Sequence, residues 1–265
     1  MDADRDAWSP SLKGRLAIVS GGAQGIGRAI CLALARDGAD VAVVDLKLPG
    51  AEETAALIRG TGRTARAFSV DVSDEPAVEA FYREIDAWDR GDKPGGPGRV
   101  DVLVSNAGIC ATTPILDIRA SEWDRMLAVN LRGAFLMSRE AFRRMKAHGK
   151  GRIIFIASAA AKLGGLTSGA HYGASKAGVV AYSRSLALAG APLHINSNAV
   201  CPGPMATEMT DAWGTETNRA FAEKIPWKEY GKPQDVAEVV AFLASDRAHY
   251  ITGETIDVNG GLLMD

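Results

Sequence analysis

The sequence predicts a single α/β domain, a doubly wound parallel sheet with helices on both faces, and three observations carry that prediction. Apolar runs of strand length alternate with helical periodicities along the chain. The first strand pattern runs straight into a glycine loop and an amphipathic helix. Asp45, Asp71, Asn106, Ser158 and Pro202 all fall at or just after strand ends, which places them on one edge of such a sheet. A chain of 265 residues is long enough for one such domain with a substantial core.

Leu16-Ala17-Ile18-Val19-Ser20 forms the first strand, and Gly21-Gly22-Ala23-Gln24-Gly25-Ile26-Gly27 follows at once. Ile26, Ala29, Ile30, Ala33 and Leu34 then recur at helical spacing. Strand, glycine turn and helix make the context in which a loop cradles a pyrophosphate on helix amides and the helix dipole. The spacing is G-x-x-x-G-x-G, anchored on Gly21, Gly25 and Gly27. Asp45 closes the second strand, 41–45, eighteen residues past Gly27. An acid there accepts hydrogen bonds from ribose hydroxyls and repels a 2′-phosphate, which favours NAD. Lys47, two residues on, could soften that exclusion and leaves NADP open.

Further strands read at 65–70, 100–105, 152–157, 194–200 and 254–258, with long helices near 121–147 and 172–189. Two segments break the rhythm. Residues 89–99 are too rich in glycine and proline for helix or strand and read as an exposed insertion. Residues 204–233 carry Trp213, Trp227 and Tyr230 in a polar stretch and read as a substrate lid, its aromatics serving either as docking anchors or as substrate contacts.

Tyr172 and Lys176 stand four residues apart in the last long helix, so both side chains share one face. A cation beside a phenol favours the phenolate, and a tyrosine so tuned exchanges a proton with a substrate oxygen near neutral pH. A solvated Tyr/Lys stripe is the bland alternative for such a pair. His171 should point about 100° away from the same oxygen and serve the pocket rim or the packing.

In this order and spacing the chain resembles the short-chain dehydrogenase/reductase family over nearly its whole length. Ser20 to Gly27 resembles T-G-x-x-x-G-x-G, with Ser for Thr. Asp71-Val72 resembles the family pair that contacts adenine, and Ser105-Asn106-Ala107-Gly108 resembles N-N-A-G. Asn130 matches the active-site asparagine, and Ser158, Tyr172 and Lys176 match the remaining catalytic positions. Pro202-Gly203, through Met205 to Thr207, resembles P-G-x-x-x-T, and Ile251-Thr252-Gly253 with Asn259-Gly260-Gly261 resembles the carboxy-terminal signature. Ala157 departs from the pattern where many members carry a second serine, and the fourteen residues from Ser158 to Tyr172 are one more than usual.

The resemblance implies a Rossmann-type sheet of seven strands in the order 3-2-1-4-5-6-7. It implies an oxidoreductase that moves a hydride between NAD and a secondary alcohol or ketone. Tyr172 would be the general acid/base, Ser158 would bind the reacting oxygen, and Lys176 would tune the tyrosine and bind nicotinamide ribose. Asn130 would hold a water linking Lys176 to solvent; a buried asparagine bonding local backbone is its alternative reading. The cofactor set would be Gly21, Gln24, Gly25, Ile26, Gly27, Asp45, Asp71, Val72, Asn106, Ala107, Gly108, Tyr172, Lys176, Pro202, Gly203, Met205 and Thr207. Dimers or tetramers through the two long helices also follow from the resemblance. The expected substrate leans to a polyol or sugar, with Ala159, Ala160, Lys162 and 164–168 as pocket floor and Cys110 on one side. A dinucleotide-sensing protein without turnover is the alternative from another class.

Composition narrows the rest. The formal charge of -2, with basic residues scattered, leaves no footprint for nucleic acid. Cys31, Cys110 and Cys201 are odd in number and far apart, which argues for a reducing compartment and against a zinc site. No metal is expected. The acidic start is not a secretory signal, and no apolar run approaches the ~20 residues of a membrane span, so a cytoplasmic location is expected.

Overall fold

A computed structural model describes residues 12–88, 98–164, 168–207, 210 and 215–264. Most of the expected 89–99 insertion, including Pro94 and Pro97, lies outside the described residues, as does Trp213.

Seven strands form one all-parallel sheet: β1 Leu16–Ser20, β2 Asp40–Asp45, β3 Ala65–Ser69, β4 Val102–Ser105, β5 Gly151–Ile156, β6 Ile195–Pro202 and β7 Thr255–Val258. Their order is β3-β2-β1-β4-β5-β6-β7, the order that the family resemblance implies. The ends differ from the sequence reading by one or two residues. The largest differences are β4, which starts at Val102 rather than 100, and β6, which runs on to Pro202.

The sheet is covered on both faces because its central strands are apolar at successive positions, as in Leu16-Ala17-Ile18-Val19, so both faces are buried. Ala17, Val19, Val41 and Val43 pack on one side with α1 (Gly25–Arg36), α2 (Leu48–Gly60) and α9 (Pro233–Ala244). Leu16, Ile18, Ala42 and Val44 pack on the other with α3 (Glu75–Ala87), α5 (Gly133–His148) and α7 (Ala170–Gly190). Ile18, Ile30 and Leu103 are wholly buried, and each such side chain contributes roughly 1.5–3 kcal/mol relative to exposure.

The expected long helix near 121–147 is three pieces. α4 (Ala120–Leu127) passes into a π-helical turn, Ala128–Arg132, before α5 begins. The Gly133 amide bonds the Ala128 carbonyl, five residues back rather than four. The wider turn is centred on buried Asn130.

The described part of 204–233, the expected lid, carries regular structure. Its base is closed by Ala206 N donating to Gly231 O (2.8 Å) and Gly231 N to Pro204 O (3.1 Å), and it carries a helix, α8, at Thr215–Ala222. Tyr230 packs edge-on against Phe221 at 6.4 Å and its hydroxyl reaches Asn218, whereas Trp227 is exposed. Tyr230 is therefore an internal anchor of the segment.

Candidate active site

The strand ends open into one cleft with two cavities that share Ile26, Asn106, Gly108, Ile109 and Thr207. The first, about 530 Å³, is bordered by Gly21, Gln24, Gly25, Gly27, Asp45, Asp71, Val72 and Ala107. The second, about 190 Å³, holds Ser158, Tyr172, Lys176, Pro202, Gly203 and Met205. All the sequence-predicted cofactor residues border one or the other.

Backbone builds the first cavity. Gly21 sits at φ 68°, and a Cβ on Gly27 would overlap the Gly21 carbonyl oxygen. Asn106 Nδ2 donates to Ser20 O and Gly21 O, both at 3.0 Å, and Ser20 Oγ accepts from the amides of Asn106 and Ala107 at 3.1 Å. Asp45 accepts from Ala23 N (3.1 Å) and Lys47 N (2.9 Å), which pins its carboxylate at the end of β2. Asp71 accepts from Ser73 N and Oγ, and these bonds hold its carboxyl below the usual range. The start of α1 has no side-chain cap and no acid in its first turn. Uncapped amides and a positive helix end beside an open glycine loop fit a dinucleotide pyrophosphate.

Sequence reading missed Arg28, whose Nε donates to Ala23 O (3.0 Å) and to Thr54 Oγ1 (3.0 Å), tying the loop to α2. An arginine one position past the glycine loop was the available signal.

The second cavity is built by side chains from distant segments. Ser158 follows β5, accepts from Ala160 N at 3.1 Å, and lines the same cavity as Tyr172 from α7. Lys176, one turn on, is buried, lies 5.9 Å from the centre of the Tyr172 ring, and donates to Ile156 O at 2.8 Å. Asn130 also approaches: a Cβ on Gly108 would stand 3.2 Å from its Oδ1 and 3.3 Å from Lys176 Nζ. Its side chain accepts from Ile109 N (2.8 Å) and donates to Ile109 O (2.9 Å) and Ser175 Oγ (3.0 Å). The amide group thus bonds the Ile109 backbone, twenty-one residues away.

The electrostatics correct one expectation. Burial pushes the Tyr172 phenol above its ordinary value, and the nearby Ser158 hydroxyl only opposes that shift. Burial also pushes Lys176 down, to about 8. Burial is the largest influence on the phenol, while Lys176 donates to the Ile156 carbonyl.

His171 turns away from the cavity, as expected, and is wholly buried with Nε2 3.1 Å from Glu122 Oε1. Thr113 Oγ1 donates to the same oxygen at 2.6 Å. Lys162 also points elsewhere, paired to Asp257 at 2.6 Å. Cys110, Ala159 and Ala160 line the pocket as expected, together with Leu163, Phe221 and Leu262, which sequence reading did not single out. Among the described residues no helix is long and apolar enough to cross a membrane.

The family model described as enoyl-(acyl carrier protein) reductase matches residues 21–263. The short-chain dehydrogenase/reductase eriH of Hericium erinaceus is 42% identical over 259 residues, 96% of this chain and 99% of that protein. The (3R)-3-hydroxyacyl-CoA dehydrogenase of Homo sapiens is 38% identical over 261 residues, 96% of this chain and 97% of that protein. A solved structure of a candidate NAD(P)-dependent gluconate 5-dehydrogenase from Beutenbergia cavernae, with NADP bound at low occupancy, aligns with a TM-score of 0.88 at 37% identity, covering 96% of this chain and 98% of that one. The chain belongs to the short-chain dehydrogenase/reductase family, an oxidoreductase family.

Proposed function

We propose that the protein is an NAD-dependent oxidoreductase acting on a secondary alcohol or the matching ketone. The observation that carries this reading is the convergence of Ser158, Tyr172 and Lys176 on one cavity, at the inner end of a cleft whose outer half fits a dinucleotide. Gly21, Gln24, Gly25, Ile26 and Gly27 would hold the pyrophosphate and Asp45 the adenosine ribose. Asp71 and Val72 would border the adenine, and Asn106, Ala107, Gly108, Pro202, Gly203, Met205 and Thr207 would line the nicotinamide end. NAD held there would supply the hydride acceptor for oxidation, and its reduced form the donor for reduction.

Tyr172 takes the hydroxyl proton in oxidation and gives it back in reduction. Ser158 donates to the same oxygen and stabilises charge that grows on it. Lys176, at about 8, keeps its charge at pH 7 and favours the phenolate as the proton leaves. Asn130 fixes the Ile109 backbone against the π-helical turn and so positions the wall beside Lys176.

Asp45, hydrogen-bonded to the loop it faces, supports NAD over NADP. Exposed Lys47 supports the second reading, an NADP-dependent reductase, and the B. cavernae relative binds NADP. The segment 204–233 is proposed as the cover of the substrate cavity, since Met205, Thr210 and Phe221 line it. Half-exposed Phe135 on α5 and exposed Leu188 on α7 support a dimer or tetramer through those helices, and free cysteines support a cytoplasmic setting.

Initial rates with NAD and NADP, read as reduced-nicotinamide absorbance with a panel of secondary alcohols, test the reading. Alcohol-dependent reduction with NAD ahead of NADP is expected. Dinucleotide binding with no turnover would mean a sensor; a clear NADP preference would overturn the role of Asp45.

A further inference from the structure

We infer that the substrate is an uncharged, predominantly hydrocarbon secondary alcohol or ketone with one recognised oxygen, and that polyols, sugar acids and other carboxylates are rejected. The inference rests on the oxidoreductase reading and names the substrate class of that same site.

The walls of the inner cavity are apolar. Ile109, Cys110, Leu163, Met205, Phe221 and Leu262 come from four separate segments and converge on the space in front of Ser158 and Tyr172. Such walls favour carbon over hydroxyl, because a hydroxyl buried without a partner is disfavoured.

Several polar groups of the lining are already engaged. Thr210 Oγ1 is held by Met205 O at 2.7 Å and Thr207 N at 3.1 Å. Asn106 Nδ2 is divided between Ser20 O and Gly21 O. Ser158 and Tyr172 both line the cavity and are taken up by the reacting oxygen. Ser168 is left as a hydroxyl beyond that pair, and Thr207 has only a 3.5 Å contact to Met205 O. A polyol needs several partners, and the pocket offers few.

Charge points the same way. Lys176 is the one charged side chain among the described lining residues, and it donates to Ile156 O at 2.8 Å. Lys162, the cation that sequence places nearest, is paired to Asp257 at 2.6 Å. The neighbouring stretches 165–167, 208–209 and 211–214 contain no Lys, Arg or His. A carboxylate entering this space would lose water and find, among the described lining residues, no cation beyond Lys176, which already donates to Ile156 O.

The test uses the protein with NAD and measures kcat/KM for cyclohexanol, 1-indanol and 2-octanol against sorbitol, gluconate and 3-hydroxybutyrate, with dinucleotide binding measured in parallel. At least one of the first three is expected to exceed all of the last three by about 100-fold or more. Sorbitol, gluconate or 3-hydroxybutyrate matching the best apolar alcohol would overturn the inference while leaving the oxidoreductase reading intact. No turnover of any of the six, with dinucleotide still bound, would bring down both. Leu163→Lys sharpens the test: a cation in the apolar wall should raise kcat/KM for 3-hydroxybutyrate about tenfold and lower it for 1-indanol. No gain for the acid would show that the wall does not select.

Discussion

The two halves of the cleft lie side by side on one sheet edge but are built by different means. The outer half, from β1 through α1 to β2, is a backbone structure whose shape follows from three glycines and one strand-end acid. The inner half is a side-chain structure assembled from β5, α7, the 204–233 segment and the chain end near Leu262. A backbone site depends on local conformation and tolerates few changes at few positions. A side-chain site depends on who meets whom across the fold, and its chemistry can be retuned one wall residue at a time.

The sharpest way to break that contrast is Gly27→Val. Its branched side chain cannot coexist with the Gly21 carbonyl, so dinucleotide affinity should fall by more than about 100-fold in calorimetric titration while the sheet stays folded by circular dichroism. Retained affinity would mean that the loop is not the cradle.

Lys176→Met should abolish most turnover yet stabilise the protein. The folded lysine titrates near 8 against an ordinary value of 10.5, so between those values the unfolded chain binds more protons and stability rises with pH. Below about 8 the burial penalty is present in full. The Met variant lacks it and should gain on the order of 1–3 kcal/mol at pH 7, less the lost bond to Ile156 O, in urea denaturation. That gain should shrink as the pH climbs from about 8 towards 10.5. A pH-independent difference would contradict the assigned cause.

Asp45→Ala should shift the NADP-to-NAD ratio of kcat/KM about tenfold towards NADP, because it removes a repulsive charge and a ribose acceptor together. An unchanged ratio would place cofactor choice elsewhere in the loop.

What could be read from the sequence divides along the same line. The glycine loop, Asp45 and the Tyr172–Lys176 pair are short-range patterns, so spacing alone carried them. The strand order came from the family resemblance, since sheet neighbours are far apart in sequence. The π-helical turn at Asn130 was not visible: residues 121–147 have an ordinary helical pattern, and the widened turn becomes apparent only where Asn130 meets the Ile109 backbone. The direction of Lys162 depends on Asp257, ninety-five residues away. Phe221 and Leu262 carry no local sign that they face a pocket. The polyol expectation rested on a wall whose composition only the fold assembles.

Tyr172→Phe tests the central claim most directly, since it removes one oxygen from the inner half and leaves the outer half untouched. Dinucleotide affinity should stay within about twofold, and turnover of the best secondary alcohol should fall by about 1,000-fold or more. Turnover within tenfold of the unaltered protein, with affinity preserved, would contradict the account, because the proton would then pass through another group.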